Sequence, residues 1–364
     1  MESQQPNQGV LPVSPYVPAS ELNRIRGRRR RSRDRIVFFA TIALLVVGGV
    51  TSGFALVKRP AGIIFTAQHT SVESNTLATV QRPTNFDHFD FSSLWLAVNP
   101  QPALAIHGQA AYLIDLDTRQ VMWSRDAETS RAPASLTKLI TAMVAVDDAG
   151  SLDHLVVIGK EVTQVVPSVM GLSPGERLSV HELIDGLFLD SGNDAAEALA
   201  SGIVPRDRFI RQMNQKAKSI GLTASHFVNP SGLDAPGHGM SAHDLAHAAA
   251  YLDQYYPALA AIANTKDVAI AATSQHKAFY PHNLNPMLWS YPGATGLKTG
   301  LTDAAGGCMI ATATRGNRHL IAVVLNATHH SADDATLLLN YGFSTQTRLP
   351  LPPWPQPSPA TGSA

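Results

Sequence analysis

The chain of 364 residues contains a single cysteine, Cys308, which excludes an intrachain disulfide. Charged residues are also scarce, at 15% of the chain, and the 28 basic residues balance the 28 acidic ones. No internal repeat is present. A hydrophobic content of 45% is enough for one substantial globular domain with appendages. Without disulfides, such a domain must be stable through its core alone.

The few charges are unevenly distributed. Residues 1–35 hold eight arginines against three acidic residues, a net charge of +5 that leaves −5 for the remainder. Residues 36–57 then form an uncharged apolar run of 22 residues, which at about 1.5 Å per residue is long enough to cross a membrane. We expect a single-pass anchor with the N-terminus inside and the rest exported, because most positive charge precedes the run. We therefore assign the basic arm to the inner membrane surface and expect no nucleic-acid partner.

A cleaved signal peptide is the alternative interpretation of residues 36–57. The apolar part of a signal peptide usually spans about 7–15 residues and ends at a small-residue cleavage site. The greater length found here favours an uncleaved anchor.

Composition divides the rest of the chain. Residues 58–102 are polar and without a sustained period, which predicts a stalk, although the aromatic stretch at 86–98 could pack on the domain instead. Residues 103–346 have globular composition, and residues 347–364 form a proline-rich tail that we expect to be disordered.

Patterns within the globular part predict strands at both ends and helices between them. The expected strands are 111–115, 121–124, 306–314 and 319–326. The expected helices are 135–146, 180–200, 207–220, 242–252 and 333–341. This order predicts an α/β sandwich in which the terminal strands share one sheet and helices fill an inserted lobe.

The first candidate catalytic motif is Ser135-Leu136-Thr137-Lys138. A serine hydroxyl is a weak nucleophile until a base takes its proton, and residues three apart on a helix lie on one face. Pro133 marks the helix start, which leaves Ser135 in the first turn, where free N–H groups can face an oxyanion. Burial and a second nearby lysine are the means available to lower the pKa of Lys138. A second copy of the spacing, Ser274 to Lys277, lies in a polar segment and is interpreted as a loop.

Two further motifs follow in order. In Ser191-Gly192-Asn193, a hydroxyl and an amide two residues apart on a turn can both project into a cleft. In Lys298-Thr299-Gly300, the lysine and glycine point to one face of a strand, and the glycine leaves room for a substrate along the edge. Taken singly, these motifs are also typical of a helix cap and a solvated turn.

Together the three motifs resemble the signature of penicillin-recognising serine peptidases. The flanking residues narrow the resemblance to the low-molecular-mass D-alanyl-D-alanine carboxypeptidases, over residues 103–346. The segments that carry it are 111–115, 131–138, 190–196, 227–234 and 296–306. The resemblance implies a β-lactamase/transpeptidase-like fold, with an antiparallel sheet flanked by helices and an all-helical lobe. It also implies a bacterial protein in the cytoplasmic membrane, with peptidoglycan stem peptides as substrates, β-lactams as inhibitors, and no metal or other cofactor.

The resemblance implies a role for each motif residue. Ser135 is the nucleophile and Lys138 the general base, and Ser191 passes a proton to the leaving amine. Asn193 orients the substrate backbone, and Gly300 also belongs to the substrate-binding residues. The remaining implied roles are the oxyanion hole, from the backbone N–H groups of Ser135 and Leu301, and carboxylate binding, by Lys298 and Thr299. Leu301 departs from the family pattern, since relatives often have a larger polar or aromatic residue there. Because only 18 residues follow Gln346, we expect neither the all-β second domain nor the C-terminal anchor that many relatives carry.

Four alternatives stay open. A class A β-lactamase needs a deacylating glutamate, but Glu197 is the only glutamate between Asn193 and Lys298. A zinc hydrolase is suggested by His243 and His247, although aspartate replaces the usual glutamate of the HExxH motif and no third ligand is indicated. A membrane-tethered β-lactam or muropeptide sensor would acylate without turnover. A DD-endopeptidase would use the same residues on cross-links.

Overall fold

A computed structural model describes residues 91–345. Its helices are α1 (Leu94–Val98), α2 (Lys138–Ala149), α3 (Val180–Phe188), α4 (Asn193–Gly202), α5 (Arg206–Ser219), α6 (Ala242–Tyr255), α7 (Pro257–Asn264), α8 (Met287–Ser290) and α9 (Ser331–Ser344). Its strands are β1 (Ala110–Asp115), β2 (Gln120–Arg125), β3 (Leu155–Val157), β4 (Arg177–Ser179), β5 (Ala294–Thr302), β6 (Gly306–Arg315) and β7 (Arg318–Leu325). Short 3₁₀ helices cover Ala134–Thr137 and Glu161–Thr163.

The main sheet has five antiparallel strands in the order β2-β1-β7-β6-β5. Ala110 of β1 pairs with Leu325 of β7, so the expectation that the terminal strands share one sheet is confirmed. β5 lies at an edge of this sheet.

Both faces of the sheet are covered. Along β1, Tyr112 and Ile114 join the core cluster that contains the helical lobe, whereas Ala111 and Leu113 join a second cluster with the residues of α9. Successive side chains of a strand point to opposite faces, and here both faces are apolar. The result is a helix–sheet–helix sandwich with β1 buried along its whole length.

The helical lobe surrounds α2, whose residues from Lys138 to Val146 are all buried. α2 ends where Gly150 takes a left-handed backbone, with φ +69°. α3 begins with a capping box in which the Ser179 side chain accepts from the Glu182 N–H and Glu182 accepts from the Ser179 N–H. Local sequence thus sets the helix ends, and apolar contact buries α2.

The structure corrects several predicted boundaries. The single helix expected at 180–200 is two helices, interrupted between Phe188 and Asn193, and Ser191 there has φ +56°. Ser135 lies on the 3₁₀ helix rather than in the first turn of α2, which begins at Lys138. The prediction missed the small β3–β4 sheet and helices α7 and α8, whose segments are short.

The packed domain begins before the predicted boundary at residue 103. Phe91 and the α1 residue Trp95 are both buried, and the Trp95 N–H donates to Gln120 Oε1 at 2.9 Å. The end of the predicted stalk therefore packs on the domain. Between residues 91 and 345, no helix has the length and apolarity needed to cross a membrane. The predicted arm, the anchor at 36–57 and the tail at 347–364 lie outside the described residues.

Candidate active site

The hydroxyl of Ser135 lies against a buried amine. Lys138 Nζ is 2.7 Å from Ser135 Oγ, 2.8 Å from Asn193 Oδ1 and 2.8 Å from the carbonyl oxygen of Ser231. The turn that holds Ser135 is tight, since Ala134 has φ +50°. The three-residue spacing thus brings the two groups together, although through a 3₁₀ turn rather than an α-helical one.

The three partners of Lys138 determine how a neutral amine would be oriented. The Ser231 carbonyl can only accept, and Asn193 Oδ1 also accepts, because Asn193 Nδ2 donates to the Val166 carbonyl at 2.9 Å. A neutral amine has two protons for these acceptors, and its lone pair is left facing the Ser135 hydroxyl. The arrangement therefore suits proton transfer from Ser135 to Lys138.

The electrostatics favour that neutral form. Burial holds the pKa of Lys138 well below its usual value, the positive charge of Lys298 lowers this pKa further, and the carboxylate of Asp194 opposes both effects. Burial also lowers the pKa of Lys298 to about 7. Two lysines buried in one site are thus both shifted toward neutrality.

The second motif forms the opposite wall at the interruption between α3 and α4. Ser191 Oγ accepts from Lys298 Nζ at 2.9 Å, which connects the serine of this motif to the lysine of the third. Its left-handed backbone is uncommon for a residue with a β-carbon and is typical of functional turns. Asn193, the first residue of α4, is held by its own N–H, which donates to the Ser168 carbonyl at 2.8 Å.

The third motif lies on the edge strand β5. Lys298 is buried and points toward Ser191, whereas Thr299 and Leu301 line the cleft. A β-carbon added at Gly300 would lie 2.9 Å from Ala134 Cβ and 3.0 Å from Ser135 N. Glycine is needed here because β5 approaches the turn of the nucleophile, which is a different reason from the substrate clearance predicted from the sequence.

These residues surround a cavity of about 390 Å³. Its lining includes Ser135, Ser191, Asn193, Thr299, Gly300 and Leu301, and Lys138 and Lys298 lie behind it through their hydrogen bonds. Pro167, Leu233 and Leu284 add apolar surface. The structure thus brings every predicted site residue to one cleft. Among the residues described, no group of three or more His, Cys, Asp or Glu side chains could hold a metal ion.

The sequence motifs do not include the loop at residues 229–234, which supplies the Ser231 carbonyl. Asn229 Oδ1 accepts from the N–H groups of Ser231 and Gly232, which fixes the loop internally. A β-carbon at Gly232, where φ is +86°, would overlap the Ala134 carbonyl and lie 2.8 Å from Thr137 Oγ1. The family resemblance includes this segment but implies no role for it. A backbone carbonyl cannot be recognised from a motif of side chains.

A buried histidine supports the same turn. Val228 N–H donates to His238 Nδ1 at 3.2 Å, so His238 Nε2 carries the proton that it shares with Thr137 Oγ1 at 2.8 Å. Burial lowers the pKa of His238 to about 4, which keeps the ring neutral in this arrangement. Asp194 supports the wall formed by the second motif, because its carboxylate accepts from the N–H groups of residues 170, 171 and 172.

Residues named in the alternatives lie elsewhere. Lys277 of the second SxxK copy bonds Ser173 and Glu176 rather than Ser274, and Glu197 forms an ion pair with Arg206 at 2.7 Å. The aspartate between His243 and His247 accepts from Ser225 Oγ at 2.7 Å. His247 is buried, at 4% exposure.

Comparisons with known proteins agree on one family. A family model described as D-alanyl-D-alanine carboxypeptidase matches residues 97–329. The chain is 34% identical over 270 residues to the D-alanyl-D-alanine carboxypeptidase DacB2 of Mycobacterium tuberculosis, covering 69% of this chain and 89% of that protein. It is also 34% identical over 255 residues to DacF of Bacillus subtilis, with 68% of this chain and 65% of that protein covered. The chain thus spans just under two thirds of DacF.

The fold agrees as well. A crystal structure of a D-alanyl-D-alanine carboxypeptidase from Mycobacterium tuberculosis superposes with a TM-score of 0.63 at 32% identity, over 68% of this chain and 96% of the other. The expected transpeptidase-like α/β fold, an antiparallel sheet with helices, is therefore confirmed for the domain.

Proposed function

Because the chain belongs to the D-alanyl-D-alanine carboxypeptidase family, we propose that it hydrolyses the terminal D-Ala–D-Ala bond of peptidoglycan stem pentapeptides through an acyl-enzyme. The observation that supports this best is the contact of Ser135 Oγ with a buried Lys138 amine whose other two partners are acceptors. That geometry supplies a nucleophile and its base in a cleft open to a peptide.

The proposed reaction has two steps. Ser135 attacks the carbonyl of the penultimate D-alanine while Lys138 takes its proton, and the backbone N–H groups of Ser135 and Leu301 stabilise the oxyanion. The C–N bond then breaks, and Ser191 relays the proton held by Lys138 to the amine of the departing D-alanine. Water next attacks the ester, which releases the shortened stem and restores the Ser135 hydroxyl. Penicillins also acylate Ser135, but the resulting ester persists.

Substrate orientation involves the remaining motif residues. Asn193 binds the peptide backbone of the stem. Lys298 and Thr299 bind the terminal carboxylate, a role supported by the contact of Lys298 Nζ with Ser191 Oγ at 2.9 Å, because the proton donor and the carboxylate site are then adjacent. A buried cation favours a ligand with a free carboxylate.

The test is mass spectrometry of purified muropeptides incubated with the full chain in detergent. Loss of one alanine from pentapeptide stems is expected, and Ser135→Ala should abolish it. Ser274→Ala is the matched control, because this exposed serine belongs to the second SxxK copy, and it should retain full activity. Cleavage of cross-linked dimers without loss of terminal alanine would indicate the endopeptidase instead. Penicillin acylation of Ser135 without either product would indicate the sensor.

We also propose that residues 36–57 anchor the chain in the bacterial cytoplasmic membrane with the catalytic domain outside. The support is the uncharged run of 22 residues after eight arginines. Protease added to spheroplasts should degrade the domain and leave an N-terminal tag intact. Protection of the domain would contradict this orientation, and a soluble shortened product would indicate a cleaved signal peptide.

A further inference from the structure

The loop at residues 229–234 contacts both sides of the cleft. At one end the Ser231 carbonyl accepts from Lys138 Nζ at 2.8 Å, which places the loop against the nucleophile and its base. At the other end the carboxylate of Asp234 reaches the turn that follows β5. The loop is therefore a direct structural connection between the base and the strand that carries the third motif.

Asp234 uses both carboxylate oxygens in this contact although its side chain is at the surface. Oδ1 accepts from Thr302 Oγ1 at 2.6 Å, and Oδ2 accepts from the Ala304 N–H at 3.0 Å. Thr302 Oγ1 in turn accepts from the Ala305 N–H at 3.1 Å. One carboxylate thus holds the turn at the end of β5 through a side chain and a backbone group.

The position of this turn matters because Leu301 immediately precedes Thr302. The Leu301 N–H is one of the two proposed oxyanion donors, and Gly300 before it already lies against the turn of Ser135. An oxyanion donor acts only if it points at the place where charge develops, and a displacement of about 1 Å can reduce the rate by roughly a hundredfold.

We propose that Asp234 is a positioning residue that holds the Leu301 N–H in register with Ser135 and Lys138 during acyl transfer. The inference rests on the proposed function, since it requires attack by Ser135 on an acyl carbonyl. Asp234 does not touch the reacting atoms; it acts through Thr302 and Ala304 on β5 and through its own loop on Lys138.

This role affects the transition state more than substrate binding. Lys298 and Thr299, the proposed carboxylate ligands, precede Leu301 on β5, and Lys298 is held independently by Ser191. Loss of the Asp234 contact should therefore reduce kcat and leave KM within about twofold, because an interaction made only in the transition state changes kcat.

The experiment compares Asp234→Ala, Asp234→Asn, Thr302→Val and the double variant Asp234→Ala/Thr302→Val, in the full chain. Asp303→Asn is the matched control, because it removes the same charge from an exposed position in the same turn. The readouts are kcat and KM for release of D-alanine from a stem peptide and the rate of acylation by a fluorescent penicillin. Thermal unfolding monitors folding.

We expect Asp234→Ala to lower kcat and the acylation rate by about 10- to 100-fold. Asp234→Asn should recover most of this, because its amide can accept from Ala304 N–H and donate to Thr302 Oγ1. The double variant should be no slower than Asp234→Ala alone, since both substitutions break the same contact between Asp234 and the turn after β5. Asp303→Asn should match the wild type.

Two results would overturn the inference. One is an Asp234→Ala enzyme as fast as the wild type under conditions where Ser135→Ala is inactive, which leaves the proposed function intact. The other is multiplicative losses in Asp234→Ala and Thr302→Val, which would show that the residues act independently. If the wild type itself releases no D-alanine and is not acylated, the proposed function fails first. Should Asp234→Ala be unfolded, Thr302→Val decides by the same kcat criterion.

Discussion

Replacing Gly232 by alanine tests whether close packing of the 229–234 loop holds the base in place. Two costs are expected. A residue with a β-carbon in left-handed backbone, here φ +86°, costs about 1–2 kcal/mol. The added carbon would also overlap the backbone carbonyl of Ala134, which cannot rotate away as a side chain could. Overpacking of this kind costs about 1–3 kcal/mol more, so Gly232→Ala should lose roughly 2–5 kcal/mol of unfolding free energy.

Gly237, three residues beyond this loop, is a matched control. Its φ is +79°, so alanine there meets a similar backbone cost, but the nearest atom to the added carbon is 3.9 Å away. Gly237→Ala should therefore lose only about 1–2 kcal/mol. The difference between the two variants isolates the steric overlap.

The same pair should separate in activity. Relief of the overlap in Gly232→Ala moves the neighbouring Ser231 carbonyl, one of the three partners of Lys138 Nζ, away from the amine. The assays are urea denaturation and the rate of acylation by a fluorescent penicillin. We expect acylation to fall by about 100-fold or more in Gly232→Ala, a barrier increase of about 2.7 kcal/mol, and to stay within about threefold in Gly237→Ala. Equal stability and equal acylation in the two variants would refute the reasoning.

Three further predictions concern titration and reactivity. Burial lowers the pKa of Lys298 to about 7, so kcat/KM for a peptide with a free carboxylate should fall about tenfold per pH unit above that value as the cation is lost. A peptide ending in D-alaninamide should not show this decrease at high pH. An identical decrease for both peptides would contradict the role of Lys298 as carboxylate ligand. Burial lowers the pKa of His238 to about 4, so its stabilising contribution is complete above the unfolded value of about 6.5 and is lost as pH falls through 4, a total of roughly 3 kcal/mol. The raised pKa values of Asp185 and Asp190 change the stability in the opposite direction as pH falls. The measurement is therefore the difference in unfolding free energy between the wild type and His238→Gln, which should shrink by that amount from pH 7 to pH 4. A difference that does not change with pH would contradict the prediction. Burial raises the pKa of Cys308 to about 11, so iodoacetamide at pH 8 should label it only in urea, and labelling of the native protein would contradict the buried position.

The motifs could be located from the sequence because each combines a chemically distinctive side chain with a local spacing. Ser135 and Lys138 are three residues apart, and their contact needs only one helical turn. The third motif does lie on a strand, which is the interpretation that puts Lys298 and Gly300 on one face, and not on a solvated turn. Local periodicity also predicted α6 and the strands β6 and β7 within a few residues.

The parts that could not be predicted depend on distant backbone groups. The apolar residues between Val180 and Ala200 recur with a helical period, but the helix is interrupted around Ser191. There the Gly192 N–H donates to the Gly186 carbonyl at 2.9 Å. No side-chain pattern marks the Ser231 carbonyl as a partner of Lys138 across 93 residues. Similarly, the contact of Thr137 with His238 depends on how the loop folds back on the 3₁₀ helix.

The pairing of β1 with β7 has a consequence for the synthesis of this protein. Ribosomes make β1 first, yet its register partner for Ala110 is Leu325, close to the end of the domain. Until that strand has emerged, the apolar side chains of Ala111 and Leu113 lack their partners in β7 and α9, and one ladder of backbone groups on β1 is unpaired, which favours aggregation of incomplete chains. A premature stop before residue 318 would therefore leave all three motifs translated but the sheet incomplete, so a truncated messenger should yield an inactive, chaperone-dependent product rather than a weakly active enzyme.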